Sequence, residues 1–188
     1  MNKNILVVSL VALVFGILGG VAGAVGYSQW NQEKVNRVAE FYNDEMAVAV
    51  SPATLRKLID DKATNFVVVD LRSEAEYKQE HIVGAVNIPA VSMNADQVVE
   101  AFEKLPAGKE VIVHCYSAYC TLSKQVGQTL AQHKIYVKEL NIGWSEWKYY
   151  WGLWNPGEDP KNGKGYVVTG GGNEKPAPGI CIKGEFGC

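Results

Sequence analysis

Two short runs constrain this chain more than any other feature. Phe66-Val67-Val68-Val69 and Val111-Ile112-Val113 are apolar throughout and mostly β-branched. A strand with one wet face alternates apolar and polar residues, so an unbroken apolar strand is covered on both faces. Such strands belong to a largely parallel sheet, whose neighbours must be joined by crossovers. The sequence offers the crossovers. Ser51-Pro52 starts a helix as N-cap and first position, with Leu55, Leu58 and Ile59 on its apolar face. Ser73 to Lys78 reads as a short polar helix, Asp96 to Leu105 as one with Val98, Val99 and Phe102 inward, and Thr121 to Gln132 as another. Strands are expected at Asn65 to Asp70, Gly84 to Ile88 (ended by Pro89), Glu110 to His114 and Lys134 to Leu140, with a last helix over Gly143 to Trp151. The fold class is α/β, a parallel sheet flanked by helices.

The N-terminus obeys other rules. No charge appears between Lys3 and Glu33, and the apolar stretch Ile5 to Tyr27 exceeds the roughly 20 helical residues that cross a bilayer core. Tyr27 and Trp30 sit where an interfacial aromatic belt would lie. Residues 1–30 therefore read as a transmembrane anchor. A cleaved signal peptide is the rival, with Ala22-Gly23-Ala24 as its small-residue site, although the run is longer than the usual apolar core of about 7–15 residues. Both readings export the rest of the chain, to the extracytoplasmic (periplasmic) side. Ala12, Gly16, Gly20 and Ala24 recur every four residues, a face that suits a helix partner or a homodimer, although membrane helices tolerate small residues generally. Residues 31–50 read as a juxtamembrane helix with Val35, Val38, Tyr42 and Met46 at helical spacing. A net charge of −2 gives no electrostatic case for nucleic acid. From Asn155 to Cys188 Gly and Pro are dense and no period holds, so a loop-rich tail is expected. A Cys181–Cys188 disulfide would pin its end in an oxidising compartment.

Chemistry gathers after the third expected strand. Cys115 sits just past it, and the loop Tyr116-Ser117-Ala118-Tyr119-Cys120 leads to the next helix. Ligands of open α/β sheets bind at the carboxyl ends of strands. Loop N–H groups and a helix N-terminus carry partial positive charge there. A depressed pKa and a thiolate at Cys115 are expected from this setting. Position alone fits a buried, inert thiol equally well. Cys120 adds a second chemistry, a reversible disulfide in which it resolves a persulfide or sulfenate on Cys115. His114 precedes Cys115 on a strand, so its side chain points to the opposite face and is read as packed. A four-cysteine zinc site would need the two cysteine pairs to converge; no metal and no cofactor is expected. Trp144, Trp147, Trp151 and Trp154 share helical spacing, with Trp147 assigned to the core and the others left open.

The segments Val67 to Arg72, Glu76-Tyr77, His81 to Pro89 and Val111 to Cys115, with Gly143 and Trp147 closing the set, resemble the rhodanese family in order and spacing. The resemblance covers roughly 100 residues and places the domain at 51–154. It implies a sulfurtransferase without a cofactor. A Cys115 thiolate would take sulfane sulfur from a donor as a persulfide, cradled by the N–H groups of Tyr116, Ser117, Ala118, Tyr119 and Cys120, and pass it to a thiophilic acceptor. Asp70 and Arg72 match a pair that braces the site, or form an ordinary ion pair. The sequence departs from the family's pattern where the loop normally ends in Arg: Cys120 stands there, followed by Thr121, and the loop holds no cation. Glu80 replaces the usual Gly before His81. Without a guanidinium to grip an oxyanion, weak activity with thiosulfate is expected, and a neutral or protein-bound persulfide is the better donor. Two other readings stay open: a binding module in a membrane complex, and a thiol–disulfide protein using Cys115 and Cys120.

Overall fold

A computed structural model describes residues 3–150, 152 and 165–170, with side chains from residue 11 onward. The chain divides into two units, Met1–Ala47 and Val48–Cys188. Helix α1 (Lys3–Val48) makes the first. It runs without a break through residue 30, so the two N-terminal segments read from sequence are one continuous helix. From Val11 onward it is long and apolar enough to cross a membrane, a property that a signal sequence shares. Ala49–Val50, expected to finish a helix, form strand β1 instead. Val50 is buried and pairs with a sheet strand far away in sequence, a contact that helical spacing cannot reveal.

The second unit alternates as expected. After β1 come α2 (Pro52–Asp60), β2 (Phe66–Asp70), α3 (Glu74–Gln79), β3 (Glu80–Ile82), β4 (Val86–Asn87), a 3-10 turn (Ala90–Ser92), α4 (Ala95–Glu103), β5 (Glu110–His114), α5 (Leu122–Gln132), β6 (Lys138–Leu140), α6 (Trp144–Tyr149) and β7 (Val167–Thr169). The caps are local. Ser51 accepts from the Thr54 N–H at 3.0 Å with Pro52 behind it, and Ser73 with Glu76 and Asn94 with Gln97 form capping boxes.

Five parallel strands stand in the order β1-β6-β5-β2-β4. The two apolar runs that set the fold class lie side by side, with Phe66 to Asp70 opposite Glu110 to His114. Alternate residues enter different cores. Val69 and Val113 pack with Val98, Phe102, Val126 and Leu130 of α4 and α5. Val68 and Ile112 pack with Leu55, Leu140, Trp144 and Trp147 on the other face. Both faces are thus covered, which is why neither run alternates.

Besides β1, two strands were not legible, β3 and β7. β7 lies in the stretch expected to be loop-rich, yet pairs antiparallel with β3. The Tyr166 carbonyl accepts from Trp147 Nε1 at 3.3 Å, and its hydroxyl donates to Asp60 at 2.5 Å. The Gly170 N–H reaches the Gln79 carbonyl at 2.7 Å, and a Cβ on Gly170 would meet the Lys78 carbonyl oxygen at 1.6 Å. These partners are all distant in sequence. Cys181, Cys188, Trp151 and Trp154 lie outside the described residues.

Candidate functional site

The carboxyl ends of β2 and β5 build the site. Asp70 and His114 face each other there, and the Leu71 N–H donates to the His114 carbonyl at 3.0 Å. Cys115 follows β5 directly and is 2% exposed. Its loop is clamped from α6. The Trp144 and Ser145 N–H groups donate to the Cys115 and Tyr116 carbonyls, each at 2.9 Å. The Glu146 carboxylate accepts from the Ala118 and Gly143 N–H groups, each at 3.0 Å. Only glycine allows this approach, since a Cβ on Gly143 would lie 2.2 Å from the Ser117 nitrogen. On the α3 side, the Tyr116 hydroxyl donates to Glu76 at 2.8 Å. Burial, then Glu76, push the Tyr116 pKa up, so it stays a donor.

Inside this clamp lie two free thiols, Cys115 and Cys120. Cys115 Sγ sits 3.1 Å from Ser123 Oγ and 3.6 Å from the Cys120 carbonyl oxygen. The two cysteine side chains hydrogen-bond to each other, and this sets their acidities apart. Cys115, acting as donor to Cys120 and then further disfavoured by burial, is pushed up. Cys120, accepting from Cys115 and facing the Leu122 and Tyr116 N–H groups, is pulled down to about 6 despite partial burial. The expectation of a resting thiolate on Cys115 is therefore corrected. The Tyr116 and Leu122 amides face the Cys120 sulfur, and only the Ser123 amide faces that of Cys115. Two thiols sharing one proton titrate as a pair, with Cys115 as the donor and Cys120 as the acceptor.

Beneath the loop, Arg72 grips Asp70. Nη2 lies 2.6 Å from Oδ2 and Nε 3.0 Å from Oδ1, and both side chains are buried. Arg72 Nη2 also donates to the Glu80 carbonyl at 2.8 Å, and its guanidinium lies 4.2 Å from the Trp144 ring centroid. The pair thus ties the end of β2 to β3 and α6. Burial would raise the Asp70 pKa, but His114 and Arg72 outweigh it and hold the carboxyl below its ordinary value. His114 is fully buried, with Nε2 3.6 Å from Asp70 Oδ2. Burial pushes its pKa down against the pull of Asp70, so it is neutral near pH 7. Cys115 packs in one core while His114 stays with Asp70 across the sheet, as the strand alternation implies.

A family model described as the rhodanese-like domain matches residues 51–149, just over half of the 188-residue chain. The chain belongs to the rhodanese-like domain family. A curated relative of this rhodanese-like chain is the HTH-type transcriptional regulator Rv0324 of Mycobacterium tuberculosis, 31% identical over 87 residues, which are 46% of this chain and 36% of that protein. An uncharacterized 16.5 kDa protein in the psaL 5' region of Synechococcus elongatus is 34% identical over 61 residues, 32% of this chain and 41% of that one. The chain thus spans about two fifths or less of these relatives' lengths. Among solved structures, the BH2092 protein of Bacillus halodurans is 27% identical with a TM-score of 0.52, covering 61% of this chain and 81% of that one. A full-length protein from Lactobacillus plantarum, 18% identical with a TM-score of 0.51 over 74% and 98% of the two chains, shares the fold.

In this rhodanese-like domain the structure brings together Cys115, Tyr116, Ser117, Ala118, Tyr119 and Cys120 as one loop, with Asp70 and Arg72 bracing its base. Sequence reasoning missed three neighbours. Glu146 fastens the loop from α6. Ser123, in the first turn of α5, touches Cys115 Sγ. Glu139 on β6 accepts a hydrogen bond from Ser123, and burial pushes its pKa up. Only the position of Ser123, eight residues after Cys115 at a helix start, offered a signal. The other two arrive from later strands and helices. Among the described residues, no cluster of His, Cys, Asp and Glu has the makings of a metal site.

Proposed function

We propose that this rhodanese-like chain is a membrane-anchored sulfurtransferase, held by α1 with its domain on the extracytoplasmic side, that carries sulfane sulfur on Cys115. The observation that carries this reading is the buried Cys115 thiol in the clamped loop at the carboxyl end of β5, with the second free thiol, Cys120, beside it. Cys120, already a thiolate near pH 7, is the base. As Cys115 Sγ attacks the outer sulfur of a donor, its proton passes to Cys120. A new S–S bond forms on Cys115, and the donor's S–S bond breaks with its electron pair on the departing fragment. An acceptor thiolate then attacks the outer sulfur, and the Cys115 thiolate leaves and recovers its proton. This is covalent catalysis by a nucleophile with an adjacent base.

The electrostatics favour some donors over others. Residues 116–121 hold no Arg or Lys, while the Glu146 carboxylate binds the loop and Glu139 lies behind Ser123. A dianion such as thiosulfate meets no matching charge here, whereas a neutral or protein-bound persulfide does not need one. Full-length chain in detergent, treated separately with polysulfide and thiosulfate and mapped peptide by peptide, tests the reading. Polysulfide should place a persulfide on Cys115 that cyanide removes, Cys115→Ser should abolish it, and thiosulfate should react far more slowly. A Cys115 that stays a plain thiol under polysulfide would refute the enzyme and leave a binding module on the same fold.

A further inference from the structure

We propose that Cys120 resolves the persulfide on Cys115, so that this domain releases hydrosulfide and ends its half-reaction as a Cys115–Cys120 disulfide. The inference rests on the sulfur-carrying role proposed for Cys115 and gives the loaded sulfur its next chemical step. Its basis is who occupies the loop's cradle. The Tyr116 and Leu122 N–H groups face Cys120 Sγ. The Ala118 N–H is taken by Glu146, the Tyr119 N–H by Ser117 Oγ at 3.3 Å, and the Cys120 N–H by the Ser117 carbonyl at 3.0 Å. A persulfide on Cys115 is therefore left with the Ser123 N–H, and the Cys120 thiol stands beside the sulfur that bears it.

The step balances. Cys120 Sγ attacks Cys115 Sγ as the proton it took during loading passes to the outer sulfur, and a bond forms between the two cysteine sulfurs. The bond from Cys115 Sγ to the outer sulfur breaks, and its electron pair leaves with that sulfur as hydrosulfide. The sulfane sulfur is reduced by two electrons and the two protein thiols are oxidised to a disulfide. An external dithiol, itself oxidised by exchange, returns both cysteines to thiols.

The test uses reduced full-length chain in detergent without oxygen. It is charged briefly with polysulfide, desalted at once, and monitored by hydrosulfide trapping and peptide mapping, beside Cys120→Ser. The wild-type chain should release about one equivalent of hydrosulfide and gain the Cys115–Cys120 disulfide, whereas Cys120→Ser should hold its Cys115 persulfide roughly tenfold longer or more. Equal persulfide lifetimes with Cys120 still a free thiol would overturn the inference and leave sulfur transfer by Cys115 standing. Neither persulfide nor hydrosulfide in either protein would remove the sulfur-carrying role and the inference with it.

Discussion

Replacing Gly143 with alanine isolates the contact on which the loop depends. Gly143 has φ −97° and ψ −170°, an extended conformation open to any residue, so the substitution carries no backbone penalty. Its cost is steric. The new Cβ would meet the Ser117 nitrogen at 2.2 Å, its Cα at 2.3 Å and its carbonyl carbon at 2.6 Å, where real contacts start near 3.0 Å. These are backbone atoms and cannot rotate aside, so the loop and α6 must part by 3.0 − 2.2, or 0.8 Å. The bonds spanning that gap, from Trp144 and Ser145 at 2.9 Å and from Ala118 to Glu146 at 3.0 Å, would stretch beyond hydrogen-bond range. Two neutral bonds at about 1 kcal/mol each and one to a carboxylate at about 2 suggest a loss of about 4 kcal/mol. A displacement near 1 Å at the nucleophile should also slow persulfide formation by about 100-fold. Denaturant unfolding of the full chain in detergent and the initial rate of Cys115 persulfidation measure the two effects. Stability within about 1 kcal/mol of wild type, together with an unchanged rate, would refute the claim that this close approach holds the loop.

Other perturbations probe other layers. Thiolate absorbance of the wild-type chain should rise in a step near pH 6, and Cys120→Ser should remove that step, because Cys115 is held up by burial as well as by Cys120; a step that survives the substitution would place the charge elsewhere. Trp147 is completely buried and its Nε1 donates to the Tyr166 carbonyl, so Trp147→Ala should cost about 3–5 kcal/mol, read as a shift in denaturant midpoint; a loss below about 1 kcal/mol would show that α6 and β7 are not joined through this ring. Acid should weaken the domain in two stages: an unfolded histidine binds a proton below about pH 6.5 that buried His114 refuses, and the depressed Asp70 carboxyl adds a second loss below about pH 3.9. Denaturant midpoints unchanged from about pH 7.5 to 5 would contradict the neutral burial of His114.

The sequence by itself determined the architecture. The two apolar runs demand cover on both faces, and Ser51-Pro52, Ser73 with Glu76, and Asn94 with Gln97 mark helix starts through neighbours no more than three residues away. Cys115 at the end of such a strand was legible for the same reason, since chain order alone puts it at the sheet's carboxyl edge. Tertiary structure decided everything that depends on distant partners. β1 exists because Val50 meets Leu140, and β7 because Val167 to Thr169 meet Glu80 to Ile82. The Cys120 thiol is the more acidic of the two because Cys115 donates to it and then because the Leu122 and Tyr116 amides face its sulfur once the loop is folded. Glu146 acts on the loop only because α6 packs beside β5. Periodicity and capping report forces between near neighbours in the chain, whereas the acidity of a thiol depends on every dipole around it, and the fold alone fixes those positions.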